Sequence, residues 1–321
     1  MLTTVVGSFP HKLYSPSTFS EKIKNTLGQF DPYKKTIRDI VFDELKAGVD
    51  IVADGGVREM NMINYFSRYM PGMKIDGKTT VIKSKILSPH TDITINDINT
   101  ACDAIWEYKR LHNIPDEEFK NKAVKGVVTG PSTMVYSSMI ESFYKNKSDA
   151  VLDYAKAFNR ELLAIEKKTP AVYIQIDEPI LSTGIADLDV AKEAIDIMTE
   201  GVKIPIAVHS CGSVKDTYRY LAKFNVDMLD FEFAGNHDNF VTIKHNKSKF
   251  KDKIIGFGCV DSAIDQVDDK YRTRELMHKA VDVFGEDNLI FDPDCGLGKL
   301  SHDNAFRKLE LMCNLNNEFD D

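Results

Sequence analysis

Apolar and polar positions follow two rhythms along this chain. Short runs of consecutive apolar residues, many of them β-branched, end in Gly, Asp or Pro. Between them lie stretches whose apolar positions recur at helical spacing. Eight runs read as strands: TTVVGS (3–8), VDIVADG (49–55), KGVVTG (125–130), AVYIQIDE (171–178), IPIAVHS (204–210), DMLDFEF (227–233), KIIGFGC (253–259) and NLIFDPD (288–294). Near-continuous apolar runs of this kind mark strands buried on both faces, as in a parallel sheet covered by helices. In 34–48, Ile37, Ile40, Val41 and Leu45 share one helical face, and in 149–168 Leu152, Ala155, Phe158 and Leu162 do the same. Further helices are predicted near 188–201, 213–224, 265–284 and 303–315. Eight strands alternating with helices predict an α/β fold, a (β/α)8 TIM barrel.

One segment breaks the alternation. Residues 61–115 lie between the second and third strands and read as an insertion over one end of a single domain spanning 1–321. They hold an aromatic, Met-rich stretch (Asn61–Met73), a predicted hairpin (Thr79–Ile95) and a helix (Ile98–Leu111). Met60, Met62, Met70 and Met73, with Tyr65, Phe66 and Tyr69, read either as the buried face of a helix or as an apolar lid over a large ligand.

Composition narrows the partners. Of 321 residues, 43% are hydrophobic and 28% charged, the balance of a chain with a sizeable core. The net charge is −8 and no lysine or arginine block exists, which argues against nucleic acid. No apolar run approaches the roughly 20 residues that span a bilayer, so no membrane partner is expected. The start, MLTTVVGSFPHKL, lacks the basic lead and apolar core of a signal peptide, and the expected location is the cytoplasm. The five cysteines are odd in number and widely spaced, which argues against a disulfide framework. Such cysteines are core residues, metal ligands or nucleophiles. Cys102 and Cys313 fall in helical stretches and read as core.

In a (β/α)8 barrel the chemistry lies at the C-terminal ends of the strands. There the chain places Gly7-Ser8, Asp54-Gly55-Gly56, Gly130-Pro131, Asp177-Glu178-Pro179, His209 with Cys211, Asp230 with Glu232, Cys259 with Asp261, and Asp292 with Asp294 and Cys295. Residues two apart on a strand share a face, so His209 and Cys211 point the same way. With Glu232 and Cys295 from the sixth and eighth strands they make an N/S/S/O set, which suits zinc and disfavours magnesium or calcium. The bland alternative is a satisfied core histidine, two inert thiols and a surface glutamate. Two thiolates and a carboxylate would leave zinc a poor Lewis acid but well suited to activating a substrate thiol. Asp177 could hold an ammonium, and Gly7 and Ser8 a carboxylate, as the ends of an amino acid require. Otherwise Asp177-Glu178-Pro179 merely ends a strand and Gly7-Ser8 is a turn. Lys299 reads as a solvated lysine or a contact for a donor's negative charge, and His237 and His302 as surface residues.

VVGSFP (5–10), IQIDEP (174–179), HSC (209–211), DFEF (230–233) and DPDCGLG (292–298), in this order, resemble the C-terminal catalytic barrel of cobalamin-independent methionine synthase. The resemblance covers nearly the whole chain. It implies a zinc-dependent methyltransferase acting on the thiol of L-homocysteine. It implies His209, Cys211, Glu232 and Cys295 as metal ligands, with Cys295 and Asp177 in the catalytic centre. Gly7, Ser8 and Asp177 become homocysteine contacts. The long members of the family carry an additional N-terminal barrel, whereas this sequence starts at the VVGSFP strand. Their second strand ends in His-Gly-Glu, whose glutamate also contacts homocysteine; here the place reads Asp54-Gly55-Gly56, leaving that contact absent or supplied by Asp54. Their third-strand motif runs into a tryptophan associated with folate; here GPSTMVYSS has Ser137. Their seventh strand leads to Asp-Ile-His, with a histidine that protonates the leaving group; here Asp261-Ser262-Ala263 follows. The acceptor half is therefore kept and the folate half altered, as in the short single-barrel members. That pattern implies a methylcorrinoid donor, free or on a carrier protein, in preference to methyltetrahydrofolate.

Three other readings compete. A related zinc methyltransferase could act on another thiol such as coenzyme M, but a thiol without an amine has no use for Asp177. A metal-free decarboxylase like uroporphyrinogen decarboxylase would need no HSC and Cys295 set and would want basic groups. A zinc-stabilised accessory protein binding methionine or homocysteine is separated from the rest only by turnover.

Overall fold

The computed structural model describes residues 1–59 and 61–319. All eight predicted strands form, all but Ile254–Val260 shorter than their apolar runs. Seven make one parallel sheet in the order Leu2–Thr3, Leu289–Pro293, Ile254–Val260, Met228–Glu232, Ile206–His209, Ile174–Asp177 and Gly126–Thr129. The sheet curls. At its first edge Thr4 bridges Ile51 in parallel, and Ile51–Val52 pairs with Ala123–Val124. Lys125 then carries the chain straight into Gly126–Thr129 at the other edge. Inside the curl, Leu2, Ile51, Ala123, Tyr173, Ala207, Met228, Ile254 and Ile290 pack together, one from each strand run.

Several of the predicted helices are fixed at their ends by side-chain caps. Pro32–Ala47 starts at Asp31, whose carboxylate accepts from Tyr33 N at 2.9 Å, with Pro32 at the first helical position; it stops at Gly48, φ 104°. Lys147–Lys168 is capped by Asn146. Leu188–Met198, Lys270–Phe284 and His302–Asn317 complete the predicted set. Over 213–224 only Tyr218–Leu221 is helical. Helices Phe19–Thr26 and His237–His245 lie outside the predicted set. Cys313 is buried and Cys102 half-buried on their helices.

Within 61–115 the helix predicted at Ile98–Leu111 is observed as Ile95–His112. The hairpin is displaced from the predicted Thr79–Ile95. Met73–Asp76 pairs antiparallel with Thr79–Ile82 across Gly77-Lys78, and Met139–Ile140 adds a third strand. The aromatic stretch is mostly core. Tyr65, Phe66, Met70 and Met73 are buried, with Phe66 edge-on to Phe158 at 5.3 Å. Met60 lies outside the described residues. Among the described residues no helix is long and apolar enough to cross a membrane.

Candidate active site

Alternation along parallel strands builds the site from below. Tyr173, Ala207, Met228 and Ile290 face the interior, so the residues two further on, Gln175, His209, Asp230 and Asp292, face it too. Two positions later come Asp177, Cys211, Glu232 and Asp294. The interior thus changes from apolar to ionic toward the C-terminal strand ends, where a cavity of about 620 Å³ opens. Gly7, Ser8, Asp54, Asp177, His209, Cys211 and Cys295 all line it.

At its floor the side-chain ligand atoms of His209, Cys211 and Cys295 lie within 4.8 Å of one another. His209 Nδ1 is 2.8 Å from Asp230 Oδ2, the two side chains being 2% and 0% exposed. A carboxylate only accepts, so Nδ1 carries a hydrogen, and in the neutral ring Nε2 is the nitrogen with the lone pair. Nε2 is buried with no hydrogen-bond partner among the described residues. A buried, unpartnered imidazole nitrogen facing two thiols, with its other nitrogen held by a carboxylate, is what a metal ligand requires. The donor set therefore fits zinc.

The surroundings tune these groups. Burial disfavours charge on His209, but the charge and hydrogen bond of Asp230 outweigh it and raise the imidazole pKa. A hydrogen bond from Cys295 lowers the Cys211 thiol; that same bond and burial raise Cys295. Behind Asp230, Asp292 is fully buried, and burial with the charge of Asp230 pushes its pKa well up. Room for Asp230 comes from Gly256, where a Cβ would lie 2.6 Å from the Asp230 Cβ. Glu232 is not among the three clustered residues; its Oε1 accepts from Asn236 Nδ2 at 3.2 Å.

A profile of the cobalamin-independent synthase catalytic domain matches residues 1–318. The chain belongs to that family. It is 40% identical over 315 residues to a methionine synthase of Methanothermobacter thermautotrophicus, covering 97% of this chain and 98% of the relative. It is 39% identical to a methionine synthase of Methanocaldococcus jannaschii, covering 97% of each. A solved B12-independent methionine synthase from Shewanella sp. W3-18-1 superposes with a TM-score of 0.78 at 20% identity, over 99% of this chain and 97% of that one. This chain is a methyltransferase of the methionine synthase kind.

In this family member the residues expected at the acceptor end are on the cavity wall. Asp177 Oδ1 accepts from Gln175 Nε2 at 2.7 Å, and burial raises its pKa. Ser8 packs against the loop after Cys295: its carbonyl accepts from Leu297 N at 2.8 Å, and a Cβ on Gly296 would lie 2.2 Å from its Oγ. Asp54 Oδ1 accepts from Gly56 N at 2.9 Å; burial and the charge of Asp97 push its pKa to about 6.

The structure adds residues the sequence reading did not single out. Glu59 lines the same cavity, and among the described residues its carboxylate has no hydrogen-bond partner. Burial and the charges of Asp54, Asp177 and Asp97 push its pKa well up. Its neighbour Arg58, absent from the cavity lining, pairs with Asp97 at 2.6 Å and Asp31 at 2.7 Å. Asp294, placed only at a strand end before, clamps the loop after Glu232 by accepting from Phe233, Ala234 and Gly235 N–H groups. Glu178 holds the Gly130-Pro131 loop through Ser132 N, Thr133 N and Thr133 Oγ1. Lys299, Ser262 and Ala263 line the cavity, as does Met62 alone of the described Met-rich stretch's methionines. His237 and His302 are exposed, His302 pairing with Asp43.

Proposed function

We propose that this chain transfers a methyl group to the thiol of L-homocysteine, forming methionine, with zinc held by His209, Cys211 and Cys295 and Glu232 as the fourth donor. The observation that carries the reading is the cluster of three ligand atoms around the buried, unpartnered His209 Nε2. Zinc bound to two thiolates would lower the pKa of a substrate thiol and leave its sulfur nucleophilic at neutral pH.

The protein's own residues then orient the amino acid. Asp177 takes the ammonium, and Gly7 with Ser8 takes the carboxylate. Asp54 and Glu59 line the ammonium side as further carboxyl acceptors, in place of the family's second-strand glutamate, whose position is Gly56. An acidic wall of this kind favours an amine-bearing thiol over coenzyme M. It also disfavours a multi-carboxylate substrate of the uroporphyrinogen decarboxylase kind, since Lys299 is the one lysine or arginine on the cavity wall among the described residues.

The donor in this reading is a methylcorrinoid, on a carrier protein or free. Where the family's protonating histidine would lie, Ser262 and Ala263 line the cavity, and neither is a general acid. A cobalt leaving group needs none: the S–C bond forms, the C–Co bond breaks and the electron pair stays on cobalt. We further propose that the curled sheet closes through Thr4, Ile51 and Lys125 into an eight-stranded barrel forming one domain, with 61–115 inserted, working in the cytoplasm.

The test is turnover of purified, zinc-loaded protein with L-homocysteine and either methylcobalamin or methyltetrahydrofolate. Methionine from methylcobalamin supports the whole reading. Normal turnover with polyglutamylated methyl-folate and none with methylcobalamin overturns the donor, and no methionine from either overturns the acceptor.

A further inference from the structure

We infer that Lys125 and Gln175 are positioning residues for the acceptor amino acid: they tie the strand end bearing Gly7 and Ser8 to the strand end bearing Asp177, and fix how the Asp177 carboxylate faces. The inference rests on the reading above, in which those two strand ends hold the α-carboxylate and the α-ammonium.

Both side chains are buried, at 1% and 0% exposure. Lys125 Nζ donates to the Val5 carbonyl and to Gln175 Oε1. Gln175 Nε2 donates to the Val6 carbonyl at 2.8 Å and to Asp177 Oδ1 at 2.7 Å. An ammonium only donates; a carboxylate and a carbonyl only accept. The amide therefore has one permitted orientation. Turned over, its oxygen would oppose two oxygens and its NH2 would oppose the lysine.

Three consequences follow from that fixed amide. Lys125, through Gln175, sets Asp177 as an acceptor. Asp177 Oδ1 is engaged, so Oδ2, to which no described residue donates, is left for a ligand. The carbonyls of Val5 and Val6, immediately before Gly7, are pinned to the same pair, so the two ends of an α-amino acid meet anchors at a fixed separation. Packing alone does not call for this arrangement. One step below in the same interior, the layer is filled by Ile51, Ala123, Tyr173, Ala207, Met228 and Ile290. A lysine at this depth carries a desolvation cost that lowers its pKa and that the charges of Asp230, Asp292, Asp177 and Glu44 offset only in part.

The test uses the full chain and two ligands that differ only in the amine, L-methionine and 4-(methylthio)butanoate, with binding measured by calorimetry. Gln175→Met removes the donor to Asp177 at nearly constant volume. The expected result is a roughly 10- to 100-fold loss of L-methionine affinity, the range for a hydrogen bond to a charged group. Affinity for 4-(methylthio)butanoate, which keeps the carboxylate but lacks the ammonium, should fall by several-fold less, so preference for the amine collapses. Lys125→Met should act in the same direction. Equal weakening of both ligands, or no change in either, overturns the inference, because a purely structural role moves both together. Wild-type protein that binds neither ligand, or both alike, overturns the reading of Asp177 itself and the inference with it. If the variants do not fold, the wild type still decides. The Gln175 side-chain amide resonance in 15N NMR should shift on adding L-methionine and not on adding 4-(methylthio)butanoate; no response to L-methionine overturns the inference.

Discussion

Replacing Asp230 with Asn isolates the charge behind His209. The carboxylate sits 2.8 Å from Nδ1 in a fully buried pair. Asparagine keeps the shape and still offers an acceptor to Nδ1, so the ring orientation and tautomer survive. What is lost is the charge. A charge-assisted hydrogen bond is worth about 1.5–3 kcal/mol and a neutral one about 1 kcal/mol. The difference, on the order of 1–2 kcal/mol, is roughly a 5- to 30-fold loss of zinc affinity. That overlaps the roughly 10–100-fold commonly lost when an outer partner of a metal-bound histidine is removed. Chelator competition at pH 7 measures it directly, with thermal denaturation of zinc-free protein as the folding control. A variant that folds and holds zinc as tightly as wild type would refute the argument that Asp230 prepares Nε2 for a metal.

Other substitutions test other parts of the site. Cys295→Ser should cost more zinc affinity than Asp230→Asn and abolish methyl transfer while the fold survives; a full metal complement and an unchanged rate would remove Cys295 from the centre. Gly256→Ala would place its Cβ 2.6 Å from the Asp230 Cβ and 2.9 Å from its Cα. Urea denaturation should show a loss of about 1–3 kcal/mol, and wild-type stability would mean the strand has room. Glu178 has its pKa raised from 4.5 to about 7 by burial, against its hydrogen bonds from Thr133 and Ser132. The fold therefore keeps a proton that the unfolded chain releases, and stability falls as pH rises from about 4.5 through about 7, by on the order of 3 kcal/mol. Glu178→Gln should flatten that slope in denaturation curves at pH 5 and pH 7.5; an identical slope would place the effect elsewhere.

Much of this was legible in the sequence because parallel strands buried on both faces leave continuous apolar runs. Once those runs set the strands, two-residue alternation carried His209 to Cys211 and joined them to the Cys295 strand end. The hairpin was misplaced although its signal, Asp76-Gly77 between alternating residues, was present. The run from Thr79 to Ile95 drew attention with its apolar positions, but Pro89 and its polar neighbours make it a connection. Glu59 could not be found locally. It meets Asp54 and Asp177 only where separate strand ends converge on one cavity. Glu232, a candidate ligand by strand position and by resemblance, stands apart from the three clustered residues, with its Oε1 meeting Asn236. Lys125 and Gln175 carried a readable signal, a lysine and a glutamine inside apolar strands, where such residues are rarely buried without a partner.

Zinc-edge X-ray absorption with and without L-homocysteine reads thiol activation at the His209, Cys211 and Cys295 cluster itself. Zinc should be bound by two sulfurs in the protein alone and by three once homocysteine is added. Zinc that is absent, or whose sulfur count stays at two, would contradict thiol activation there.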